Sequence, residues 1–151
     1  MGYIEKNLMV GEKVVYRAKL HWVVFLWAAI FLFIAIIGFA NGSGTVGGLF
    51  IFLAALIGFF SFISYSTSEF GVTNKRVLVK VGWIRRHSLE TLLTKVEGIG
   101  VDQGILGRIL GYGTIVVTGT GGTKEPFHKI DAPLEFRKRV QEQIAAFQES
   151  K

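Results

Sequence analysis

Two long apolar runs divide this chain. No Asp, Glu, Lys or Arg occurs between Leu20 and Ser68, and residues 22–40 and 46–64 within this interval are almost entirely apolar. A helix needs about 20 apolar residues to cross a hydrocarbon core of about 30 Å, and each run is close to that length. Residues 41–45, Asn-Gly-Ser-Gly-Thr, are typical of a tight turn. The pattern predicts a transmembrane helical hairpin over residues 21–65.

The sequence on either side of the hairpin alternates between apolar and polar residues, as β-strands do. Residues 14–20 predict a short strand, with the first turns of a longer helix as the alternative. After the hairpin, the alternation predicts six strands, at residues 69–73, 76–81, 84–92, 95–102, 112–119 and 124–130. The glycine-bounded apolar segment 104–111 suits one turn of helix or a tight connection. Because the hairpin returns the chain to the same membrane face, the N-terminal arm can pair with the C-terminal region.

The chain is predicted to end in a helix. Asp131 is the expected N-cap, and Pro133 stands in the first turn, where its missing N–H costs nothing. Four apolar residues recur at helical spacing and define one face: Phe136, Val140, Ile144 and Phe147. Antiparallel strands followed by one amphipathic helix predict an α+β domain, in which the helix caps a small β-barrel or bent sheet.

The charge distribution predicts a topology. The formal net charge is +6, both flanks of the hairpin are basic, and its turn carries no charge. Basic residues favour the cytoplasmic side, so both termini are expected in the cytoplasm of a multi-pass protein of the cell (inner or plasma) membrane. The bilayer, including its anionic lipids, is therefore an expected partner. The charges alternate in sign and form no long stripe, so nucleic acid is not an expected partner. The first apolar run exceeds the 7–15 residues of a signal peptide, which argues against cleavage.

Sequence signals for catalysis or cofactor binding are missing. There is no cysteine, which excludes disulfides and thiol chemistry. His21, His87 and His128 do not have metal-ligand spacing, and we interpret His21 as an interfacial residue. The glycine-rich segment 119–124 lacks the spacing of a phosphate-binding loop and predicts a hairpin turn instead. We expect no enzyme activity, no cofactor and no metal.

The predicted spans contain no charged residue, which argues against an ion or transport pathway through them. Small residues recur at a spacing of four, at Gly44 and Gly48 and again at Ala54 and Gly58. Such residues let helices approach closely, so they predict packing within the hairpin, with a dimer face as the alternative.

Basic residues at strand ends are the candidate contact site. They are Lys75, Arg76, Lys80, Arg85 and Arg86, and they could bind anionic lipid or an acidic partner. The alternative is an ordinary charged surface that also sets the topology. Arg108 lies within an apolar segment, and it either packs its stem and bonds nearby carbonyls or anchors at the membrane. We favour the structural role for Arg108.

The order of these parts resembles the bacterial PH-like (pleckstrin-homology-like) membrane proteins of the YdbS type. The matching stretches are residues 69–82, 95–113 and 131–136, together with 5–17 and His21-Trp22. The resemblance implies a two-helix transmembrane hairpin followed by a seven-stranded PH-like split β-barrel capped by a helix. It implies no catalytic activity. We therefore divide the chain into a cytoplasmic arm (1–20), a transmembrane hairpin (21–65) and a cytoplasmic PH-like domain (66–151).

Two functions are compatible with this organisation. The first is a membrane-anchored binding or scaffold module that holds a protein partner, or its own copies, at the cytoplasmic face. The second is a structural subunit of a larger membrane assembly, recognised through the hairpin.

Overall fold

The computed structural model describes residues 2–82 and 86–150. The chain divides into two units, the first built from residues up to His21 and from Thr67 onward, and the second from Trp22–Ser66. The N-terminal arm thus folds together with the C-terminal region. This arrangement follows from strand pairing across the apolar segment, because Ala18 lies opposite Phe70 in an antiparallel ladder.

Within the described residues, seven strands form the two sheets of the first unit. They are β1 (Val14–Ala18), β2 (Glu69–Thr73), β3 (Arg76–Val81), β4 (His87–Leu92), β5 (Val96–Asp102), β6 (Tyr112–Gly119) and β7 (Lys124–Asp131). The first sheet has the order β1-β2-β3-β4 and the second β5-β6-β7, and all neighbours are antiparallel. The strand prediction for residues 14–20 is confirmed. The predicted start of β4 at residue 84 falls outside the described residues.

The predicted barrel is not closed. An isolated bridge between Leu20 and Ile130 links the chain after β1 to β7, but no ladder joins the two sheets elsewhere in the described residues. Apolar side chains from both sheets instead pack into one core, with Phe70, Val72, Ile115 and Ile130 almost fully buried. The first unit is therefore an α+β domain with two sheets.

Helix α5 (Pro133–Glu149) covers this core. Phe136 and Val140 are buried on its apolar face and Ile144 packs against them, as the helical spacing predicts. The prediction of Asp131 as N-cap is wrong. Asp131 is the last residue of β7, and the N-cap is Ala132, which has a left-handed backbone (φ 47°) and makes no side-chain cap bond.

In the described part of the first unit there are also two short α-helices and one 3₁₀ turn, Leu93–Lys95. Helix α1 (Tyr3–Lys6) was not evident from the sequence and packs against β2. Helix α4 (Ile105–Leu110) occupies the glycine-bounded segment, which confirms the prediction of about one turn of helix there. The glycine-rich segment 119–124 is the turn between β6 and β7, and the positive φ values of Gly121 and Gly122 explain why glycine stands there.

The second unit is a helical hairpin. A 3₁₀ turn (Trp22–Phe25) leads into α2 (Leu26–Ala40), and α3 (Gly44–Thr67) follows. Both helical segments are long and apolar enough to cross a membrane. Within the hairpin, Phe31 stacks on Phe50 and the Ser61 hydroxyl donates to the Val24 carbonyl.

The backbones of the two helices approach each other closely at a position that was not predicted. A Cβ added at Gly38 would lie 2.9 Å from the backbone nitrogen of Gly47, whereas Gly44 and Gly48 face open space. Gly44 and Gly48 therefore do not pack within the hairpin, because a spacing of four on one helix does not reveal which face meets the other, and the dimer face stays a prediction. Ala54 is buried, and its companion Gly58 approaches Ala28, as predicted.

Candidate functional site

The predicted basic residues do not form one patch. Lys75 and Arg76 lie at the turn between β2 and β3, whereas Lys80 lies near the other end of β3 and Arg86 directly precedes β4. Four residues of extended strand span roughly 13 Å, which separates the two pairs. Arg85 lies outside the described residues. The sequence could not reveal this separation without the strand register.

Arg76 is a buried structural residue. Its Nε donates to Glu12 Oε1 at 3.0 Å, its Nη1 donates to Glu90 Oε2 at 2.7 Å, and its Nη2 donates to the Asn7 carbonyl. The whole residue is 8% exposed. Because its charge is already paired and removed from solvent, Arg76 does not belong to a lipid- or partner-binding surface, and its place among the candidates is corrected accordingly.

Glu12 completes this polar cluster. Its carboxylate also lies 2.6 Å from the Thr73 hydroxyl and accepts the Met9 N–H at 2.7 Å. Burial alone raises the pKa of Glu12, but the hydrogen bonds from Arg76, Met9 and Thr73 outweigh it and hold that pKa below its ordinary value. The hydrogen bond to Glu12 in turn raises the pKa of Arg76. The cluster stays ionised at neutral pH and fixes the segment before β1 to β3.

Lys75 and Lys80 also contact the N-terminal arm. Lys75 Nζ donates to the Val10 carbonyl at 2.8 Å, and Lys80 Nζ lies 5.3 Å from the centre of the Tyr3 ring. Such a cation–π contact is worth about 0.5–1 kcal/mol at an exposed site. Three of the four described candidates therefore hold the arm in place, and Arg86 is the one that is exposed.

The N-terminal arm is held on the domain by the carboxylate of Glu69 and by the buried side chain of Ile4. Glu69 accepts the backbone N–H groups of Tyr3 at 3.0 Å and Ile4 at 3.2 Å, at the N-terminal end of α1. Ile4 is 1% exposed and lies over Gly71, where an added Cβ would be 2.5 Å from Ile4 Cδ1. This docking was not evident from the sequence, because residues 1–12 have no clear period.

His21 makes a second set of polar contacts, at the point where the chain leaves the first unit. His21 donates its backbone N–H to the Lys129 carbonyl, and its ring lies 5.3 Å from the Tyr112 ring. His21 Nε2 is 3.9 Å from Asp131 Oδ1, and His21 is 4% exposed. The interpretation of His21 as an interfacial residue is therefore corrected: it is a buried part of the domain, in contact with Tyr112 of β6 and with Lys129 and Asp131 of β7.

Arg108 differs from its expected structural role. Its side chain is exposed, and among the described residues it makes no hydrogen bond or ion pair that would bind it to nearby carbonyls. It lines a groove of about 590 Å³ together with Gln103, Pro133 and Leu134. The expected bonding of Arg108 to nearby carbonyls is therefore not found, and the alternative, an anchor at the membrane, stays a prediction.

The other histidines lie apart from one another in local polar contacts. His87 Nε2 is 3.3 Å from Glu125 Oε2, and His128 Nδ1 is 3.0 Å from the Thr114 hydroxyl. Among residues 2–82 and 86–150, no three His, Asp or Glu side chains come together in a group that could hold a metal ion. The expectation that the chain is not an enzyme stays a prediction.

Comparison with known proteins identifies the domain. The family model described as "Bacterial PH domain" matches residues 19–144, which include the hairpin, β2–β7 and most of α5. No curated protein and no solved structure matches the chain. Since the family match covers most of the sequence and agrees with two antiparallel sheets followed by a C-terminal helix, the chain belongs to the bacterial PH domain family.

Proposed function

We propose that this chain is a membrane-anchored PH-like module of the YdbS type, which binds or scaffolds a protein partner or its own copies at the cytoplasmic face of the inner or plasma membrane. One observation carries the proposal. Two helices, each long and apolar enough to cross a membrane, are inserted between β1 and β2, two strands that pair with each other. Membership of the bacterial PH domain family also supports a binding or scaffold role for this chain.

The strand pairing supports a domain held at one membrane face. Ala18 lies opposite Phe70, so the chain leaves and re-enters the first unit at neighbouring positions. Two crossings return the chain to the side from which it started. The basic flanks and the uncharged turn favour the cytoplasm for that side.

Fewer basic residues are available to bind a partner than the sequence predicted. Arg76 is buried in its ion pair with Glu12, and Lys75 and Lys80 contact the N-terminal arm. Arg86, which is exposed, and the neighbouring Arg85 remain the candidates for binding an acidic partner or anionic lipid. Self-association would give such a small surface avidity.

Thiol labelling tests the anchor and its orientation. The chain has no cysteine, so Ser43→Cys in the hairpin turn and Gln148→Cys near the end of α5 each introduce a single label site. We expect a membrane-impermeant thiol reagent to label Ser43→Cys in intact cells, and Gln148→Cys only after permeabilisation. Extraction of the protein by alkaline carbonate, or labelling of both sites in intact cells, would contradict the anchored topology.

Charge reversal tests the recognition surface. Arg86→Glu is compared with Lys138→Glu, which makes the same charge change at an exposed position of α5. Full-length protein is purified in mild detergent, its mass is measured, and any co-purifying protein is identified. We expect Arg86→Glu to reduce the bound partner or the oligomer and Lys138→Glu to leave it unchanged. Equal retention in both variants would reject the basic surface.

A specific feature of the hairpin favours the alternative of a structural subunit. A groove of about 340 Å³ on the second unit is lined by Ala28, Ala29, Ala54 and Ala55 together with larger apolar residues. Small side chains of this kind allow another membrane helix to approach closely. Replacing residues 22–66 with an unrelated two-span hairpin separates the two functions. Loss of assembly would support recognition through the hairpin, and retained assembly would support recognition by the PH domain.

A further inference from the structure

Helix α4 exposes an unusual amount of apolar surface for a segment of a folded domain. Ile105 is 82% exposed, Ile109 73% and Leu106 59%, and Leu134 at the start of α5 is 49% exposed. Single exposed apolar residues are common, but clustered ones mark contact surfaces. Three of the six residues of α4 are large, apolar and exposed, so this helix has a face that the domain does not cover.

The domain holds α4 rigidly by its opposite face. Gly107 is buried, and an added Cβ there would lie 2.5 Å from the Tyr112 carbonyl oxygen. Gln103 Nε2 donates to that same oxygen at 3.1 Å, and Gly111 ends the helix with a left-handed backbone. The glycine lets the helix lie flat on β6, which leaves its isoleucines pointing away from the core.

The position of α4 within the first unit indicates what covers it. Tyr112, the residue after its terminal glycine, has its ring 5.3 Å from the ring of His21. His21 is the last residue of the first unit before the apolar hairpin begins at Trp22. The chain returns to this unit at Thr67, next to β2, whose residue Phe70 pairs with Ala18. Helix α4 therefore lies at the end of the domain where the chain passes to the proposed membrane spans.

The charges around α4 suit a lipid headgroup region. Arg108 is exposed between the apolar residues of the helix, and Lys19 and Lys129 are exposed near the strand ends at the same corner. Long basic side chains extend to headgroups while their stems cover apolar surface. The acidic neighbours are Asp102, which ends β5, and Asp131, which lies 3.9 Å from His21 Nε2. Glu135 lines the same groove as Arg108, and its carboxylate is paired with Arg139 at 2.9 Å.

We infer that α4 inserts its apolar face, formed by Ile105, Leu106 and Ile109, into the interfacial layer of the bilayer, with Arg108 contacting anionic headgroups. Interfacial helices bury their apolar face about 5–10 Å into the headgroup and acyl boundary. This inference rests on the proposed function, because the hairpin must bring the domain to the membrane. Its consequence is a fixed orientation: the PH domain is held against the lipid at α4 as well as through the two chain crossings.

Site-specific fluorescence in the full chain tests this insertion. Single cysteines at Ile109 and at Thr123 are labelled with an environment-sensitive nitrobenzoxadiazole dye. Thr123 is the control, since it is exposed in the turn at the opposite end of β6. The protein is reconstituted into vesicles of phosphatidylethanolamine and phosphatidylglycerol. We expect a blue-shifted emission at Ile109→Cys, strong quenching by lipids with a shallow nitroxide, and several-fold weaker quenching by aqueous iodide than at Thr123→Cys.

A third label separates this inference from the proposal on which it rests. Leu32→Cys lies in the middle of the first apolar helix, and lipids with a deep nitroxide should quench its dye if the hairpin spans the bilayer. Quenching at Leu32→Cys without shallow-lipid quenching at Ile109→Cys would overturn the inference and leave the anchor intact. A dye at Ile109→Cys that is shielded from both iodide and lipid would also overturn it, and would assign the face to another protein or a second copy. No quenching at Leu32→Cys would overturn the proposed function itself.

Discussion

The buried carboxylate of Glu12 accepts two hydrogen bonds from the guanidinium of Arg76, at 3.0 Å from Nε and 3.1 Å from Nη2. The two residues are 64 positions apart, with the whole apolar hairpin between them. The Glu12 side chain is fully inaccessible and that of Arg76 is 10% exposed. This pair therefore joins the segment before the hairpin to the sheet after it, in a place where solvent cannot replace either partner.

Glu12→Gln is expected to destabilise the first unit strongly. Removing one charge from a buried pair costs about 3–5 kcal/mol, because the remaining charge keeps its desolvation penalty. The amide keeps some of the hydrogen bonds, and Arg76 keeps its contact with Glu90. We therefore expect the free energy of unfolding to fall by about 3 kcal/mol, the lower end of this range. The measurement is urea unfolding of the full chain in mild detergent, followed by near-ultraviolet circular dichroism.

Glu5→Gln is the matched control for this pair. Glu5 also lies in the arm and also pairs with an arginine, Arg17, at 2.6 Å, but both side chains are substantially exposed. Water replaces a lost partner at such a site, so little change in stability is expected. Equal effects of Glu5→Gln and Glu12→Gln would show that burial does not determine the contribution of the Arg76 pair.

The stability of the first unit should fall in acid, partly because of Glu12. The pKa of Glu12 in the folded protein lies below its ordinary value of 4.5, so the unfolded chain binds a proton more readily. The stabilisation is complete well above pH 4.5 and is lost as the pH falls through the lowered folded-state pKa. Unfolding free energies measured across this range should show the difference between wild type and Glu12→Gln shrinking as the pH falls. A difference that is constant with pH would reject this linkage.

The sequence predicted much of the fold because local patterns determined it. Runs of strand-forming residues between turn signals placed β2, β3 and β6 at their observed bounds, and helical spacing placed Phe136 and Val140 on the buried face of α5. Strand β6 and helix α5 each bury one face, which leaves a repeating trace in the sequence, whereas β2 and most of β3 are buried on both faces.

The candidate site was less predictable because it depends on contacts between distant segments. Nothing near Arg76 in the sequence indicates that Glu12 and the Asn7 carbonyl will enclose it. The exposed face of α4 was also not evident from the sequence. An apolar segment between glycines does not show which of its residues are buried, and in the structure the buried side is occupied by Gly107. Charge and hydrophobicity along the chain do not specify which partner each residue meets.

In the hairpin, Gly38→Ala is expected to weaken helix packing. A Cβ at residue 38 would lie 2.9 Å from the backbone nitrogen of Gly47 and 3.2 Å from its Cα, and a backbone cannot rotate away as a side chain can. The helices must separate and lose contacts along their interface. We expect the variant to lose its helical circular dichroism signal at a lower mole fraction of sodium dodecyl sulphate than wild type.

Gly48→Ala supplies the control for the hairpin, because nothing lies within 4 Å of a Cβ at that position. It changes glycine to alanine in α3 without a new contact, and alanine favours the helix. We expect unchanged or slightly raised resistance to the detergent. If Gly38→Ala were as resistant as Gly48→Ala, the close approach of residues 38 and 47 would not contribute to the hairpin.

Gly71→Ala is expected to loosen the N-terminal arm. An added methyl group at residue 71 would meet Ile4 Cδ1 at 2.5 Å, and Ile4 is almost completely buried over this glycine. Overpacking of this kind costs about 1–3 kcal/mol. Faster proteolysis of the arm and a lower unfolding free energy of the full chain in detergent should both report the loss. Gly98→Ala in β5, where a Cβ meets nothing within 4 Å, should change neither measurement.

A double-mutant cycle tests whether the clash with Ile4 is the cause. Ile4→Ala alone removes a buried side chain and should cost about 2–5 kcal/mol. In that background the methyl group at residue 71 fills part of the vacated space, so the double variant should be more stable than the sum of the two single changes predicts. A coupling of 0.5–3 kcal/mol is typical for residues in contact. Simple additivity would mean that Gly71→Ala acts on the strand itself, and that the docking of the arm does not depend on a glycine beneath Ile4.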